Sequence, residues 1–370
     1  MRTVIKKINE DKVCGIQRCI GEIFTGFNKE EDIGYGELTL YHYTPFEKLF
    51  SMLSGDALWA SRSRFSNDST EDEMIGKELL EKEQYYSDNY ILCFCKKNDI
   101  LSQWRGYCPK GGASIGFKFP AGMSTYSLLH ANYSEDSAKH SCDFELYQNR
   151  PFPVIYCKTN SMQNGIPVND LMNSFKDKKI KDTGCVLYDI APYLKNGYFE
   201  EERELRLVFN NSDGAIENCV QFRKLDDGSM VPYIVVKCGN INNRGRSLSH
   251  TYNEDAIKEL FKQSLESRNT ILIPNGRDQS VIYNSLFAKI TDHKKEIYKD
   301  SGKVAERRRW ETNPLRIVCE GHLPVVSITV SPSPQQEYMK EVIERFCRSK
   351  YWLKNVEVNC SKIPYVAPKL

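Results

Sequence analysis

The chain has 370 residues, 27% of them charged and 40% hydrophobic, with a formal net charge of +2. This is ordinary for one or two globular domains, and it gives no global field toward nucleic acid or an anionic membrane. No apolar run approaches the roughly 20 residues that cross a bilayer, and "MRTVIKKINEDKVCGIQ" lacks the apolar core of a secretory signal, so a cytoplasmic protein with no membrane partner is expected.

Residues 1–37 read as an N-terminal arm closing on Gly34 and Gly36. "ELTLYHYT" is rich in aromatic and β-branched residues and predicts a strand. Pro45 then opens "PFEKLFSMLSG", where Phe46, Leu49, Phe50 and Leu53 fall at i, i+3, i+4, i+7, the spacing of a short amphipathic helix ending at Gly55. "ALWAS" predicts the next strand, "RSRFSNDSTEDE" a polar loop, and "DEMIGKELLEKE" an acidic helix. "YILCFC" and "ASIGFKF" are strong strand signals, with "KKNDILSQWRGYCPKGG" between them as a loop-and-turn connection. "PFPVIYC" predicts a strand, 168–196 a helix, and "RELRLVF" and "MVPYIVVKC" two more strands.

The pattern then changes. Residues 241–312 hold a helical stretch around 254–267 and the charged "DHKKEIYKDSGKVAERRRWE", and read as a mostly helical insertion. Strand character returns at "PVVSITVSP", followed by the amphipathic "QQEYMKEVIERFCRSK" and a closing "VEVNCSKIPY". The expected organisation is thus an arm (1–37), a core built from 38–240 and 313–370, and the 241–312 insertion. Short strands without regular β-α-β alternation disfavour a doubly wound sheet and predict an α+β fold. Neither GxGxxG nor GxxxxGK[ST] occurs.

Thirteen cysteines are scattered without a CxxC pair, and read as buried free thiols in a reducing compartment. Cys93 and Cys95 share a strand face, but no second pair completes a zinc site, and no metal is expected.

Four stretches offer chemistry. On "LYHYT", Leu40, His42 and Thr44 share one face and Tyr41 and Tyr43 the other; the ordinary role for His42 is a half-buried imidazole with one hydrogen bond. "LWASRSRFSND" brings Trp59, Phe65 and two phosphate-matching cations, Arg62 and Arg64, while Asn67 and Asp68 commonly bond their own loop backbone. "LSQWRGY" packs Trp104, Arg105 and Tyr107 into a turn. In "YFEEERELRLVF", a strand beginning near Arg203 puts Glu204 and Arg206 on one face, joined by Glu202 if the extended backbone starts earlier. That constellation is either an ion pair of little worth at a surface or a pair of carboxylates at a cleft mouth.

Taken in order, "LYHYT", "LWASRSRFSND", "ILCFCKKNDILSQWRGY…GGASIGF", "EERELRLVF" and "VEVNCSKIPY" resemble the bacterial domain-of-unknown-function family numbered 2971, although Asn67-Asp68-Ser69 stands where that family usually has Asn-Asp-Pro. The family in turn looks similar to ADP-ribosyltransferases of the His–Tyr–Glu type. The resemblance implies a mixed or antiparallel sheet core with peripheral helices, and NAD as substrate. It implies that His42 grips a ribose, that Glu204 bonds the 2′-hydroxyl of the reacting ribose, and that Glu202 is an accessory carboxylate. Trp59, Phe65 and Tyr107 all qualify as the aromatic that stacks on nicotinamide. Tyr43, Asn67, Trp104 and Arg206 join the expected NAD contacts, with Arg62, Arg64 or Arg105 on the pyrophosphate. The expected activity is ADP-ribosyl transfer (a glycosyl transfer) to a protein or nucleic-acid acceptor, in a bacterial toxin or antiviral-defence setting. The alternatives are a non-catalytic nucleotide- or nucleic-acid-binding module, and a nuclease using Glu202, Glu204, Asp68 and His42 around a divalent cation.

Overall fold

The computed structural model describes residues 39–63, 89–119, 123–132, 141–147, 151–158, 166–167, 191–210, 220–224, 228–241, 254–267, 271–273, 279–312, 315 and 317–364. In chain order the first elements are β1 (Thr39–Pro45), α1 (Phe46–Gly55), β2 (Leu58–Arg62), β3 (Asn89–Cys95), α2 (Leu101–Tyr107) and β4 (Gly112–Lys118). Strands β5 (Met123–Asn132), β6 (Ser141–Tyr147), β7 (Phe152–Pro153), β8 (Ile155–Lys158), β9 (Ile166–Pro167) and β10 (Leu194–Asn196) follow. Then come β11 (Glu204–Asn210), β12 (Gln221–Lys224), β13 (Met230–Ile241), α3 (Glu254–Ser267), β14 (Ile271–Ile273), α4 (Gln279–Lys299) and α5 (Val304–Thr312). The last four are β15 (Ile317–Glu320), β16 (Val325–Val330), α6 (Gln336–Ser349) and β17 (Glu357–Cys360).

The fold is α+β. Fourteen strands form one open sheet along the path β14-β15-β13-β2-β3-β1-β4-β16-β17, with β11 and β7 joined through β3, and β12, β5 and β6 through β13. Its pairs are antiparallel except β14–β15 and β16–β17. A second, three-stranded sheet, β10-β8-β9, is parallel. The helices of 241–312 accompany a strand: β14 joins the large sheet through β15, and α3 and α4 cover it with a satellite core of Ile257, Ile271, Ile273, Tyr283 and Leu286.

The period-2 pattern of the strands sets the main core. Leu40, Leu58, Ala60, Tyr90, Leu92, Phe94, Leu205, Leu207 and Phe209 share one face, which receives Leu49, Met52 and Leu53 of α1 and Ile343 and Cys347 of α6. Burial of a large apolar side chain contributes about 1.5–3 kcal/mol, so this face dominates stability. Helix α1 follows the predicted spacing, but its left-handed cap is Asp56 (φ 49), one residue beyond Gly55. Eight of the described cysteines are free, and six of these are buried.

Three local predictions are corrected. "LSQWRGY" is the helix α2, not a turn; two turns are too few for periodicity to show. It is set by Asp99 (φ 58), whose carboxylate accepts from Trp104 Nε1 at 2.8 Å, from the Ser361 hydroxyl and from the Lys362 amide. Within the helix predicted over 168–196, residues 191–196 form instead a 3-10 turn, Ala191–Tyr193, and β10. Pro192 there lacks the N–H a helix interior needs. Residues 197–202 form a 3-10 helix and Arg203 turns left-handed (φ 44), so the strand starts at Glu204 and Glu202 is not on its face. The predicted arm, the acidic helix and residues 168–190 lie outside the described residues.

Candidate functional site

The large sheet forks at β3. Strand β11 pairs along one whole edge of β3, from Glu204↔Cys95 to Asn210↔Asn89. The opposite edge is shared: β2 pairs at Ser61↔Ile91 and Arg62↔Tyr90, and β1 at Tyr41↔Cys95. Between these contacts β1 and β2 part. His42 fills the crotch, its Nδ1 2.9 Å from the Cys93 carbonyl oxygen. A carbonyl only accepts, so Nδ1 carries the hydrogen in this bond and Nε2 is left as an acceptor in the neutral ring. Burial pushes the imidazole down to about 4, reinforced by the charges of Arg223 and Lys48 and opposed by the Cys93 bond. His42 is therefore neutral near pH 7.

The fork opens into a cavity of about 220 Å³. Of the sequence-predicted residues, His42, Tyr43, Trp59, Arg62, Tyr107 and Arg206 line it. So do Lys48 and Arg223, giving four cationic side chains and, among the described lining residues, no carboxylate. Trp59 comes from β2 opposite Val235, and its ring lies 5.2 Å from that of Tyr233. The Arg223 guanidinium lies 5.9 Å from each of these rings and donates to Ser61 Oγ at 2.8 Å. Sequence reasoning missed Arg223 and Lys48. The only signal for Arg223 is its place in "QFRK", where alternation sends it to the face opposite the exposed Phe222.

Glu204 lies beneath the cleft and does not line it. Strand pairing puts Glu204, Arg206, Cys93, Cys95 and Tyr41 on one face of the sheet, and His42 on the other with Phe94. Glu204 is 3% exposed and Arg206 2%, so their ion pair is a core feature, not a surface one. Oε1 accepts from Arg206 Nε at 2.8 Å, and Oε2 from Lys195 Nζ at 2.7 Å and Arg206 Nη2 at 3.3 Å. Lys195, from the small sheet, also reaches Glu202 Oε2 at 2.7 Å, which ties β10 to β11. Arg206 Nη1 bonds the Pro192 carbonyl at 2.7 Å. Burial alone would raise the Glu204 carboxyl; Arg206 and Lys195 outweigh it and hold the group at about 2. Glu202 moves upward because burial exceeds the pull of Lys195.

Trp104 is buried under Tyr43, ring centroids 4.7 Å apart, and Arg105 is exposed; neither lines the cavity. Their spacing gave the right neighbourhood and the wrong surface, because α2 directs only Tyr107 into the cleft. Arg64, Phe65, Asn67 and Asp68 lie outside the described residues. Among the described residues, no cluster of three or more His, Cys, Asp or Glu is placed to hold a metal ion, and no helix is long and apolar enough to cross a membrane.

A family model described as "Protein of unknown function (DUF2971)" matches residues 103–207, from α2 through most of β11. Over that stretch the chain is similar to this family; the "LYHYT", "LWASRSRFSND" and "VEVNCSKIPY" blocks, and the "ILCFCKKNDILS" start of the third block, fall outside the match. No curated protein and no solved structure matches the chain.

Proposed function

We propose that the chain binds NAD in the fork of its sheet and cleaves the nicotinamide–ribose bond, passing ADP-ribose to a macromolecular acceptor. The observation that carries this reading is one cleft whose described lining residues hold a neutral imidazole, aromatic faces and four cations. His42 Nε2 accepts from a ribose hydroxyl, Trp59 or Tyr107 packs on nicotinamide, and the arginines meet the pyrophosphate. The cavity is below the roughly 300–1,000 Å³ of typical ligand pockets, so it takes one half of the dinucleotide. Departure of nicotinamide leaves an oxocarbenium-like ribose, and a carboxylate is useful insofar as it stabilises that cation more than the ground state. The resemblance gives this role to Glu204, ionised at neutral pH with Glu202 beside it; because Glu204 lies on the face opposite His42, the reading requires its carboxylate to leave Arg206 and Lys195 and reach the 2′-hydroxyl.

A second reading is favoured by Glu204 itself, whose two oxygens are engaged by Lys195 and Arg206. On that reading the cleft binds a nucleotide without cleaving it, and the carboxylate only orients Arg206; a scaffold does not bring activity with it. Both readings are tested by incubating the protein with labelled NAD, with and without cell extract, while measuring NAD binding directly. Nicotinamide release or label transfer that is lost in folded Glu204→Gln supports transfer. Binding weakened by Trp59→Ala, with no turnover, supports the second reading. Absence of both binding and turnover overturns the two together.

A further inference from the structure

We propose that Asp56, His322 and Tyr351 form a second chemical site, independent of the NAD reading, in which Tyr351 is a surface nucleophile that accepts an acyl group. His322 sits between β15 and β16, its Nδ1 2.6 Å from Asp56 Oδ2 and its Nε2 2.6 Å from the Tyr351 hydroxyl. Asp56 caps α1, and its second oxygen accepts the Leu323 amide at 2.9 Å, so the carboxylate is anchored to the backbone beside the imidazole. A carboxylate on Nδ1 fixes the hydrogen there and leaves Nε2 as the acceptor for the phenol O–H. This is the carboxylate–imidazole–hydroxyl order by which an otherwise weak hydroxyl nucleophile is activated.

The rings hold the geometry. His322 stacks on Trp352 at 4.7 Å with 5° between planes, and Tyr351 meets both rings edge-on, each at 5.1 Å. Trp352 is packed against the main core, which fixes the stack to the body of the protein. Tyr351 is 65% exposed and open to a reagent.

In the step assigned here, Tyr351 Oη attacks the carbonyl carbon of an activated acyl donor. The Oη–C bond forms as the hydroxyl proton passes to His322 Nε2, and the Asp56 carboxylate stabilises the resulting imidazolium. The donor's leaving group departs with the bonding pair and recovers the proton. No oxidant or reductant is involved.

The probe is N-acetylimidazole at neutral pH, with O-acetylation of each tyrosine followed by peptide mass spectrometry. Tyr338, on α6, is the internal standard, because its 64% exposure matches that of Tyr351. General-base assistance predicts that Tyr351 reacts at least about tenfold faster than Tyr338. His322→Gln is expected to bring Tyr351 down to the Tyr338 rate. Should His322→Gln melt below the assay temperature, Asp56→Asn makes the same comparison, since Asn tolerates the left-handed cap. Equal rates for the two tyrosines in the natural chain, or an advantage that survives loss of the base in a folded variant, would overturn the assignment and leave the three residues a tie between segments.

Discussion

Glu204 and Arg206 lie two residues apart on one face of β11, and the carboxylate closes on the guanidinium twice, at 2.8 and 3.3 Å, in a place only 2–3% exposed. Removing one member of a buried pair leaves the others charged and uncompensated, at a cost of about 3–5 kcal/mol. Glu204→Gln is therefore expected to lower the urea midpoint substantially, whatever it does to activity. Little change in the midpoint would mean that the pair adds little to stability.

The same residue gives acid unfolding a definite sign. Glu204 is held at about 2 against an ordinary 4.5, so its contribution is full above 4.5 and is lost as the pH falls toward 2. Glu202 is shifted upward and works oppositely: its contribution is present below 4.5 and fades as the pH rises through its folded value. Stability of the natural chain should thus fall on acidification below 4.5. The Glu204→Gln variant should show a flatter acid limb, measured by urea titration across that range.

In a proton NMR titration the His42 ring resonance is expected to move only near pH 4. Because its folded pKa is depressed from 6.5, its stabilising contribution is present above 6.5 and lost as the pH falls through 4. Nucleotide binding that needs Nε2 as an acceptor should be flat from pH 6 to 8 by this account. A resonance titrating near 6.5 would show that the imidazole is not buried in the fork.

The charge of the cleft makes a fourth prediction. NAD affinity should fall with added salt, and Arg223→Gln should weaken it by about 10–100-fold, the worth of one charge-assisted hydrogen bond. Salt-independent binding, unchanged in Arg223→Gln, would remove the electrostatic account.

Backbone approach can be tested at two glycines. An alanine methyl at Gly112 would lie 2.6 Å from Cys108 Sγ and press on the carbonyl oxygen of Thr44, which lines the cleft. Gly112→Ala should therefore cost about 1–3 kcal/mol or more and disturb ligand binding as well. At Gly228 the space is open and only the positive φ of 87° resists, so Gly228→Ala should cost about 1 kcal/mol and leave binding alone. Equal effects would contradict the packing around Thr44.

Much of the framework was legible in the chain. Alternation in "LYHYT" put Leu40 and His42 on one face of their strand, and alternation in "RELRLVF" put Glu204 and Arg206 on one face of theirs, because period-2 geometry is local; that the pairing sets His42 and Glu204 on opposite sides of the sheet was not legible, and a shared cleft was expected. What lay hidden depends on contacts far apart in sequence. Lys195 is an unremarkable lysine until β10 brings it between Glu202 and Glu204, and Arg203 gives no sign that it will turn left-handed and remove Glu202 from the strand. The fork was equally invisible: nothing in "LWASR" or "LYHYT" says that both strands compete for one edge of β3. Arg223 was passed over because its role comes from the stack it forms with Trp59 and Tyr233.

The carboxylate of Asp99 also sets the order in which the molecule becomes complete. Its partners Ser361 and Lys362 are 262 and 263 positions further along. At about 5–20 residues per second, a ribosome needs roughly 15–50 s to supply them. During that interval His42, Lys48 and Arg62 are already made, while the helix that brings Tyr107 to the cleft lacks two of its anchors. A chain made as far as Arg223 thus has the four cations of the cleft without its finished wall, and the cleft is complete only late in synthesis.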